Sequence, residues 1–417
     1  MKRRISPFKK TYTLKAKVLN KTLNAPASKS EMQRAVGLAI LSNGKTLIKN
    51  PSFSKDSLTV IRAAGALGAT VQLFCDSVSI EITDKVVENH INMGESGLGV
   101  RMFSSIVPLF GNQFILNGES TLLKRSVKEV EEALSQLNLE CKSQNGTLPI
   151  EISGEIKAGK ININGSSSSQ VLTGLLMALP MLKDSSEITV TNLKSKPYID
   201  LTINMIETFG GSIDHENYEK FSIQGNQKYI ARNISIEGDW SSASFLLVAG
   251  LIAGKMEVKN LNIHSKQPDK LIVPLIKKAG GIITLKDNAV ITEKSILKAF
   301  EFDASDCPDL FPPLVAMAAY CNGTSVITGT ERLVDKESNR AESLKEEFEK
   351  LGIEIKLSNN KMYIKGGELK GATVTSHNDH RVAMALATAA LGSEEEITIT
   401  DADCVNKSYP FFFRDIN

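Results

Sequence analysis

Three stretches place charged side chains where a soluble helix has no structural need of them. The first is "APASKSEMQRAV", from Ala25, which sets Lys29, Ser30 and Arg34 at the start of a helix. The residues that follow, "AVGLAIL", are almost wholly apolar, so a buried helix is expected, with two cations at its mouth. Helix N-terminal N–H groups acting with such side chains make an anion site. The plain alternative, which this motif alone favours, is a Ser N-cap with two snorkelling surface cations. The second stretch, "HNDHRVAMALATAA", sets Asp379, His380 and Arg381 before another charge-free helix. Its H-x-x-H spacing lacks a third ligand and the Glu of a zincin, so no metal is expected. In the third, "DKESNRAESL", Glu337 stands between Lys336 and Arg340. On a helix that spacing is commonly a surface ion-pair ladder; the functional reading is an acid or base held among anion-binding cations.

Other helix entries share this character. Asp309, in "SDCPDLFPPLVAMAAY", sits at the mouth of an apolar helix, where burial would raise its pKa and the helix dipole would lower it. A lone Asp there is more often an N-cap. "GSSSSQVLTGLLMALP" leads four serines and Gln170 into a helix without charge. Serine runs are usually linkers, but one feeding straight into an apolar helix reads as a hydroxyl-lined pocket. The entry "GESGLGVR" ends in Arg101, and Arg125 follows in "GESTLLKRS".

These entries recur because the chain repeats. A small-residue turn and a short β-rich run begin at Asn43, Gly111, Asp184, Ala253, Asn322 and Gly392, roughly 70 residues apart. After most of them come an amphipathic helix and a glycine turn into a strand, as in "DKLIVPLIKKAGGII" and "RAESLKEEFEKLGIEI". Before each stands a more apolar helix with an entry rich in Ser, Gly, Asp or Asn. Strand, buried helix, strand and amphipathic helix, six times over, predict an α/β protein with buried helices inside and sheets and amphipathic helices outside. Three copies could close into one globule, giving two domains with a crossing at "IEGDWSSAS".

Composition narrows the function classes. The 417 residues are 42% hydrophobic and 23% charged, as in a soluble globular protein, and too long for one ordinary core. A net charge of +2 supplies no global field for nucleic acid, so any anion site must be local. Five scattered cysteines without a C-x-x-C predict reduced, cytosolic thiols and no zinc site. The apolar run "FLLVAGLIAG" is half a membrane span. The basic N-terminus has no apolar h-region, and "TYTLKAKV" reads as a strand of the mature protein.

"SKSEMQRA", "GSSSSQ", "SKPYIDLT", "PDLFPPL", "KESNR", "NDHR" and "NKSYPFFF" follow one another in an order and spacing that resemble the 5-enolpyruvylshikimate-3-phosphate synthases (3-phosphoshikimate 1-carboxyvinyltransferases) across essentially the whole chain. The resemblance implies two domains of three βαβαββ units each, an inside-out α/β barrel arrangement of buried parallel helices, with the active site in the interdomain cleft. It places residues 1–26 and 238–417 in the lower domain and 27–237 in the upper. It implies transfer of the enolpyruvyl group of phosphoenolpyruvate to the 5-hydroxyl of shikimate-3-phosphate, without metal or other cofactor. By the same resemblance Lys29, Ser30, Arg34, Ser168, Ser169, Gln170, Ser195, Tyr198, Asp309 and Lys336 hold shikimate-3-phosphate. Lys29, Gly97, Arg125, Gln170, Arg340, Arg381 and Lys407 hold phosphoenolpyruvate. Asp309 matches the group that takes the 5-hydroxyl proton, Glu337 the proton donor to the methylene carbon, and Lys29 serves both substrates. The chain departs from the family at Glu95-Ser96-Gly97-Leu98, usually Asn-Ala-Gly-Thr or Thr-Ser-Gly-Thr, and at Arg332, where many relatives have Asn. A monomeric cytoplasmic enzyme of aromatic amino-acid biosynthesis is expected, with no nucleic-acid or membrane partner.

The nearest rival family is the UDP-N-acetylglucosamine enolpyruvyl transferases. They carry Lys-Asn where this chain has Lys29-Ser30, and a mobile-loop cysteine that "NGESTLLKRS" lacks. A non-catalytic anion-binding protein on the same scaffold would have no use for both Asp309 and Glu337. A nucleic-acid binder would show aromatic-basic stripes, and none is present.

Overall fold

Helices whose sequences carry almost no charge are the ones this structure buries on every side. It is a computed structural model that describes residues 10–417. The basic start through residue 9, read above as part of the mature protein, lies outside the described residues. Contacts divide the described chain into two compact units. The central unit is Ala27–Glu237 with Lys266–Pro268; the flanking unit is the chain up to Pro26, Gly238–Ser265 and Asp269–Asn417.

The central unit contains α1 (Lys29–Leu41), α2 (Lys55–Ala66), α3 (Gly97–Ile106), α4 (Lys128–Ser135), α5 (Gln170–Ala178) and α6 (Lys196–Thr208). Helices α1, α3 and α5 are almost wholly buried. They pack closely because small residues stand at the contacts: a Cβ on Gly174 of α5 would lie 2.7 Å from the Met102 carbonyl of α3. Helix α2 shows the other pattern, burying Val60, Ile61, Ala63 and Ala64 while Lys55 and Arg62 face solvent. Three four-stranded sheets share one plan, a parallel pair extended by two antiparallel strands. In one, Lys160–Asn164 runs parallel to Ser186–Thr191, and the crossover a parallel pair requires is supplied by α5. The unit closes on itself, because Asn233–Ser235 at its end pairs in parallel with Thr46–Lys49 near its start.

The flanking unit contains α7 (Trp240–Ala253), α8 (Ile272–Lys278), α9 (Phe311–Ala318), α10 (Arg340–Lys350), α11 (His380–Ala390) and α12 (Phe412–Ile416). Every residue of α7 is buried. Each buried Leu, Ile or Phe of such a helix contributes about 1.5–3 kcal/mol, so the apolar interior dominates stability. Two sheets repeat the central unit's plan, beginning with Leu19–Asn24 parallel to Gly254–Lys259 and Glu301–Asp303 parallel to Thr324–Thr328. The last copy is irregular: Ala372–Thr375 and Ile397–Thr400 pair in parallel, and the N-terminal strand Tyr12–Leu14 completes the sheet in place of a hairpin. Stacking of Tyr12 on Phe413, with ring centroids 3.9 Å apart, ties the two chain ends there.

That N-terminal strand is shorter than "TYTLKAKV" suggests. It ends at Leu14 because the Ala16 and Lys17 N–H groups donate to the Ser393 and Leu391 carbonyls, turning the chain off the ladder until Leu19. Four entries to buried helices are capped as the sequence implies: side chains of Ser28, Ser96, Asp239 and Asp379 accept hydrogen bonds from first-turn N–H groups. Among the described residues, no helix is long and apolar enough to cross a membrane.

Candidate active site

In the central unit, α1 carries Lys29, Ser30 and Arg34 inward. Arg34 is only 2% exposed, which excludes the snorkelling alternative. Its Nε donates to Thr202 Oγ1 at 2.8 Å, Nη1 to the Ser30 carbonyl at 2.8 Å, and Nη2 to Thr173 Oγ1 at 3.4 Å and the Tyr198 carbonyl at 3.2 Å. All four partners are neutral. Burial draws its pKa down to about 10, with Tyr198 and Glu31 opposing, so the group is still cationic at neutral pH. A buried cation held by hydroxyls and carbonyls keeps its charge available for an anion. Lys29 is paired with Asp56 of α2 at 3.0 Å, and that carboxylate is 4% exposed. Sequence reasoning missed Asp56; the only signal was an acidic residue just after the Ser54 cap.

Arg34 also gathers the other predicted groups. Its partners Thr173, Tyr198 and Thr202 lie on α5 and α6, so Lys29, Ser30 and Arg34 meet the entries of both helices. Ser195 opens α6 in the left-handed region at φ 58°, and Pro197 follows within the first turn. Ser168 Oγ accepts the Gln170 N–H at 3.1 Å, fixing the serine run against α5. Gly97 begins α3 beside two arginines: a Cβ there would lie 2.9 Å from Arg125 Nη1 and 3.3 Å from Arg101 Nη1. Arg101, noted in the sequence without a role, stitches these pieces together. It pairs with Glu129 and donates to the Ser126 carbonyl at 2.8 Å, the Gly97 carbonyl at 3.3 Å and Gln170 Oε1 at 3.5 Å. Leu98, where relatives carry a hydroxyl, packs half-buried against the apolar core.

In the flanking unit, the predicted acid and base share one guanidinium. Arg340, at the start of α10, has a side chain 1% exposed. It reaches Glu337 at 2.7 Å, Asp379 at 2.9 Å and Asp309 at 3.2 Å. Burial works against its charge, but Asp379, Glu337 and Asp309 together hold its pKa above the ordinary arginine value. Glu337 precedes α10 in a loop, and at 9% exposed it is no surface ladder. Its second oxygen takes Lys407 at 3.1 Å, and Lys336 is its half-buried chain neighbour. Asp309, in a short 3₁₀ turn ahead of α9, bridges Arg340 and Arg381, the latter at 2.9 Å. Burial opposes the Arg381 charge, yet Asp309 raises its pKa overall. Arg381 Nη1 is buried with no hydrogen-bond partner among the described residues, a donor positioned to take an anion. Three carboxylates (Asp309, Glu337, Asp379) thus meet three cations (Arg340, Arg381, Lys407).

The sequence leads to no metal, yet Glu337, Asp379 and His380 offer ligand atoms within 4.8 Å of one another. Arg340 and Lys407 already occupy the carboxylates of that group, which disfavours a further cation. Sequence alone left the part played by Asp379 open. Its carboxylate caps α11 through the Arg381 N–H and also takes Arg340, so it locks the two arginines in register.

Comparison with known proteins points to one family. Residues 14–416 match the family model of EPSP synthase (3-phosphoshikimate 1-carboxyvinyltransferase). The 3-phosphoshikimate 1-carboxyvinyltransferase of Clostridium novyi (strain NT) is 36% identical over 95% of this chain and 94% of its own length. That of Clostridium acetobutylicum is 38% identical over 94% of each chain, and that of Methanosarcina acetivorans 37% over 94% of each. The solved EPSP synthase of Acinetobacter baumannii shares the fold, with a TM-score of 0.81 at 23% identity and 97% coverage of both chains. The chain belongs to the EPSP synthase (3-phosphoshikimate 1-carboxyvinyltransferase) family.

Proposed function

We propose that this chain transfers the enolpyruvyl group of phosphoenolpyruvate to the 5-hydroxyl of shikimate-3-phosphate, releasing phosphate. The observation that carries the reading is the Asp309–Arg340–Glu337 constellation: two carboxylates, each also bound to a further cation, set on the two terminal nitrogens of one buried guanidinium. Addition needs a base for the attacking hydroxyl and an acid for the methylene carbon at the same time. Asp309 removes the 5-hydroxyl proton while the oxygen attacks C2, and Glu337 delivers a proton to C3. The tetrahedral intermediate then expels phosphate as a proton leaves C3, with the acid–base roles reversed.

The central unit supplies the sugar-phosphate grip. Lys29, Ser30, Arg34, Ser168, Ser169, Gln170, Ser195 and Tyr198 hold shikimate-3-phosphate, with Lys336 near its ring. Lys29, Gly97, Arg125, Gln170, Arg340, Arg381 and Lys407 hold phosphoenolpyruvate, whose carboxylate and phosphate require several cations at once. The reading assigns residues 1–26 and 238–417 to the family's lower domain and 27–237 to its upper. It includes a monomer, and a cytoplasmic setting with which five cysteines that form no disulfide agree. Phosphate release from phosphoenolpyruvate tests it: release with shikimate-3-phosphate and none with UDP-N-acetylglucosamine is expected. The reverse preference, or no release with either, overturns it.

A further inference from the structure

We infer that His377, clasped to the buried carboxylate of Glu347, is a positioning residue that sets Arg381 for phosphoenolpyruvate; this rests on the functional reading above. Helix α10 buries Glu347 completely, seven residues after Arg340. A buried carboxylate is tolerated only when its oxygens are bound. Here Oε2 accepts the Thr375 N–H at 3.0 Å, and Oε1 meets His377 Nε2 at 2.6 Å and Lys350 Nζ at 2.9 Å. The Glu346 carboxylate, 3.8 Å from the same imidazole nitrogen, adds to the pull. A nitrogen facing an ionised carboxylate carries its hydrogen, so the imidazole donates there whether neutral or charged.

What the clasp holds is an unusual turn. His377 and Asn378 are consecutive non-glycine residues in the left-handed region, at φ 51° and 57°. Side chains persist there only where the surroundings enforce it. Ser376 braces the turn from inside, its Oγ accepting the Asn378 N–H at 3.1 Å and its carbonyl the Asp379 N–H at 2.9 Å. Asp379, His380 and Arg381 follow directly. Helix α10 is therefore fastened to this segment at three points: Arg340 on Asp379, Glu347 on His377, and Glu347 on the Thr375 N–H just before the turn. Of the three, the His377 contact alone holds a side chain of the left-handed turn itself, so its loss frees the turn that orients Arg381 while the flanking contacts stay. His377 and His380 raised the question of a metal in the sequence; Glu346, Glu347 and His377 do converge, but Lys350 already supplies the cation.

His377 is 27% exposed, so replacing it need not unfold the chain. His377→Leu removes the donor, and His377→Gln offers an amide donor to the same carboxylate. Steady-state kinetics with both substrates, beside thermal melting, separate the outcomes. In His377→Leu the KM for phosphoenolpyruvate should rise about tenfold, while that for shikimate-3-phosphate stays within about twofold and the melting temperature within a few degrees. His377→Gln should return most of the loss. An unchanged phosphoenolpyruvate KM in His377→Leu, an equal rise in both KM values with lower stability, or no rescue by Gln overturns the inference. A parent enzyme that releases no phosphate overturns the functional reading and this inference with it. A working parent beside an unaffected Leu variant overturns the inference alone.

Discussion

Arg34 offers the sharpest test of the anion-site assignment, because its burial gives it two separable roles. Arg34→Met keeps much of the apolar stem and removes the guanidinium, leaving four acceptors to find new partners. Three of them can: Thr202 Oγ1 already donates to the Tyr198 carbonyl at 2.8 Å and lies 3.2 Å from Thr173 Oγ1. The Ser30 carbonyl keeps the backbone N–H of residue 34, its α-helical partner, so no acceptor is left bare and the stability loss should be at most about 1.5 kcal/mol, the net worth of a hydrogen bond. Binding suffers more directly. A charge-assisted contact to phosphate is worth roughly 1.5–3 kcal/mol, so the Kd for shikimate-3-phosphate should rise between about tenfold and 150-fold. Arg34→Lys keeps the charge but not the planar fork, and should fall between parent and Met variant. Isothermal titration of folded protein reads the affinity, and a melting curve reads the stability. If both variants bind within twofold of the parent, Arg34 is a structural cation and the anion-site reasoning fails.

Other outcomes follow from the same geometry. Asp309→Ala and Glu337→Ala should each lower kcat about 100-fold or more, with smaller changes in KM, the scale of general acid–base groups. Since Glu337 engages Arg340 and Lys407, its removal should leave the KM for phosphoenolpyruvate unchanged or lower, and a large rise would contradict its assignment. Gly97→Ala would set a Cβ 2.9 Å from Arg125 Nη1, so the KM for phosphoenolpyruvate should rise with little change for the other substrate. Asp56→Ala strips Lys29 of its counter-ion and should destabilise the ligand-free protein by about 1–3 kcal/mol, less than a fully buried pair because Lys29 reaches solvent. Saturating shikimate-3-phosphate should recover part of that loss in thermal melting, and no recovery would remove Lys29 from the binding set.

The repeated architecture was legible because charge-free helices and glycine turns are local patterns. "FLLVAGLIAG" could only be an interior helix, and α7 is indeed buried throughout. Irregularity was harder to see. Nothing local says that Tyr12–Leu14 would complete a sheet with Ile397–Thr400, or that the strand would stop where Ala16 finds the Ser393 carbonyl. The charged groups were readable by type, since Lys29, Arg34 and Asp309 stand out beside apolar runs and Glu337 stands between two cations. Their partners were not. Lys29 with Asp56, Arg340 with Asp379 and His377 with Glu347 are 27, 39 and 30 residues apart, distances that only the folded chain closes. Glu337 shows the limit of spacing: the i, i+3 relation to Arg340 looks like a surface ladder until both side chains prove buried.

Proton movement at the methylene carbon is where the account is most exposed. Addition followed by elimination passes through a methyl group, so every turnover must bring a solvent-derived hydrogen to C3 and remove one. Mass spectrometry of the product made from phosphoenolpyruvate and shikimate-3-phosphate in D₂O reads this directly. The expected product carries the carboxyvinyl group on the 5-oxygen with deuterium in its methylene, formed far more slowly by Glu337→Gln. A carboxyvinyl product whose methylene holds no deuterium, or a Glu337→Gln enzyme as fast as its parent, would contradict the acid–base mechanism assigned to Asp309 and Glu337.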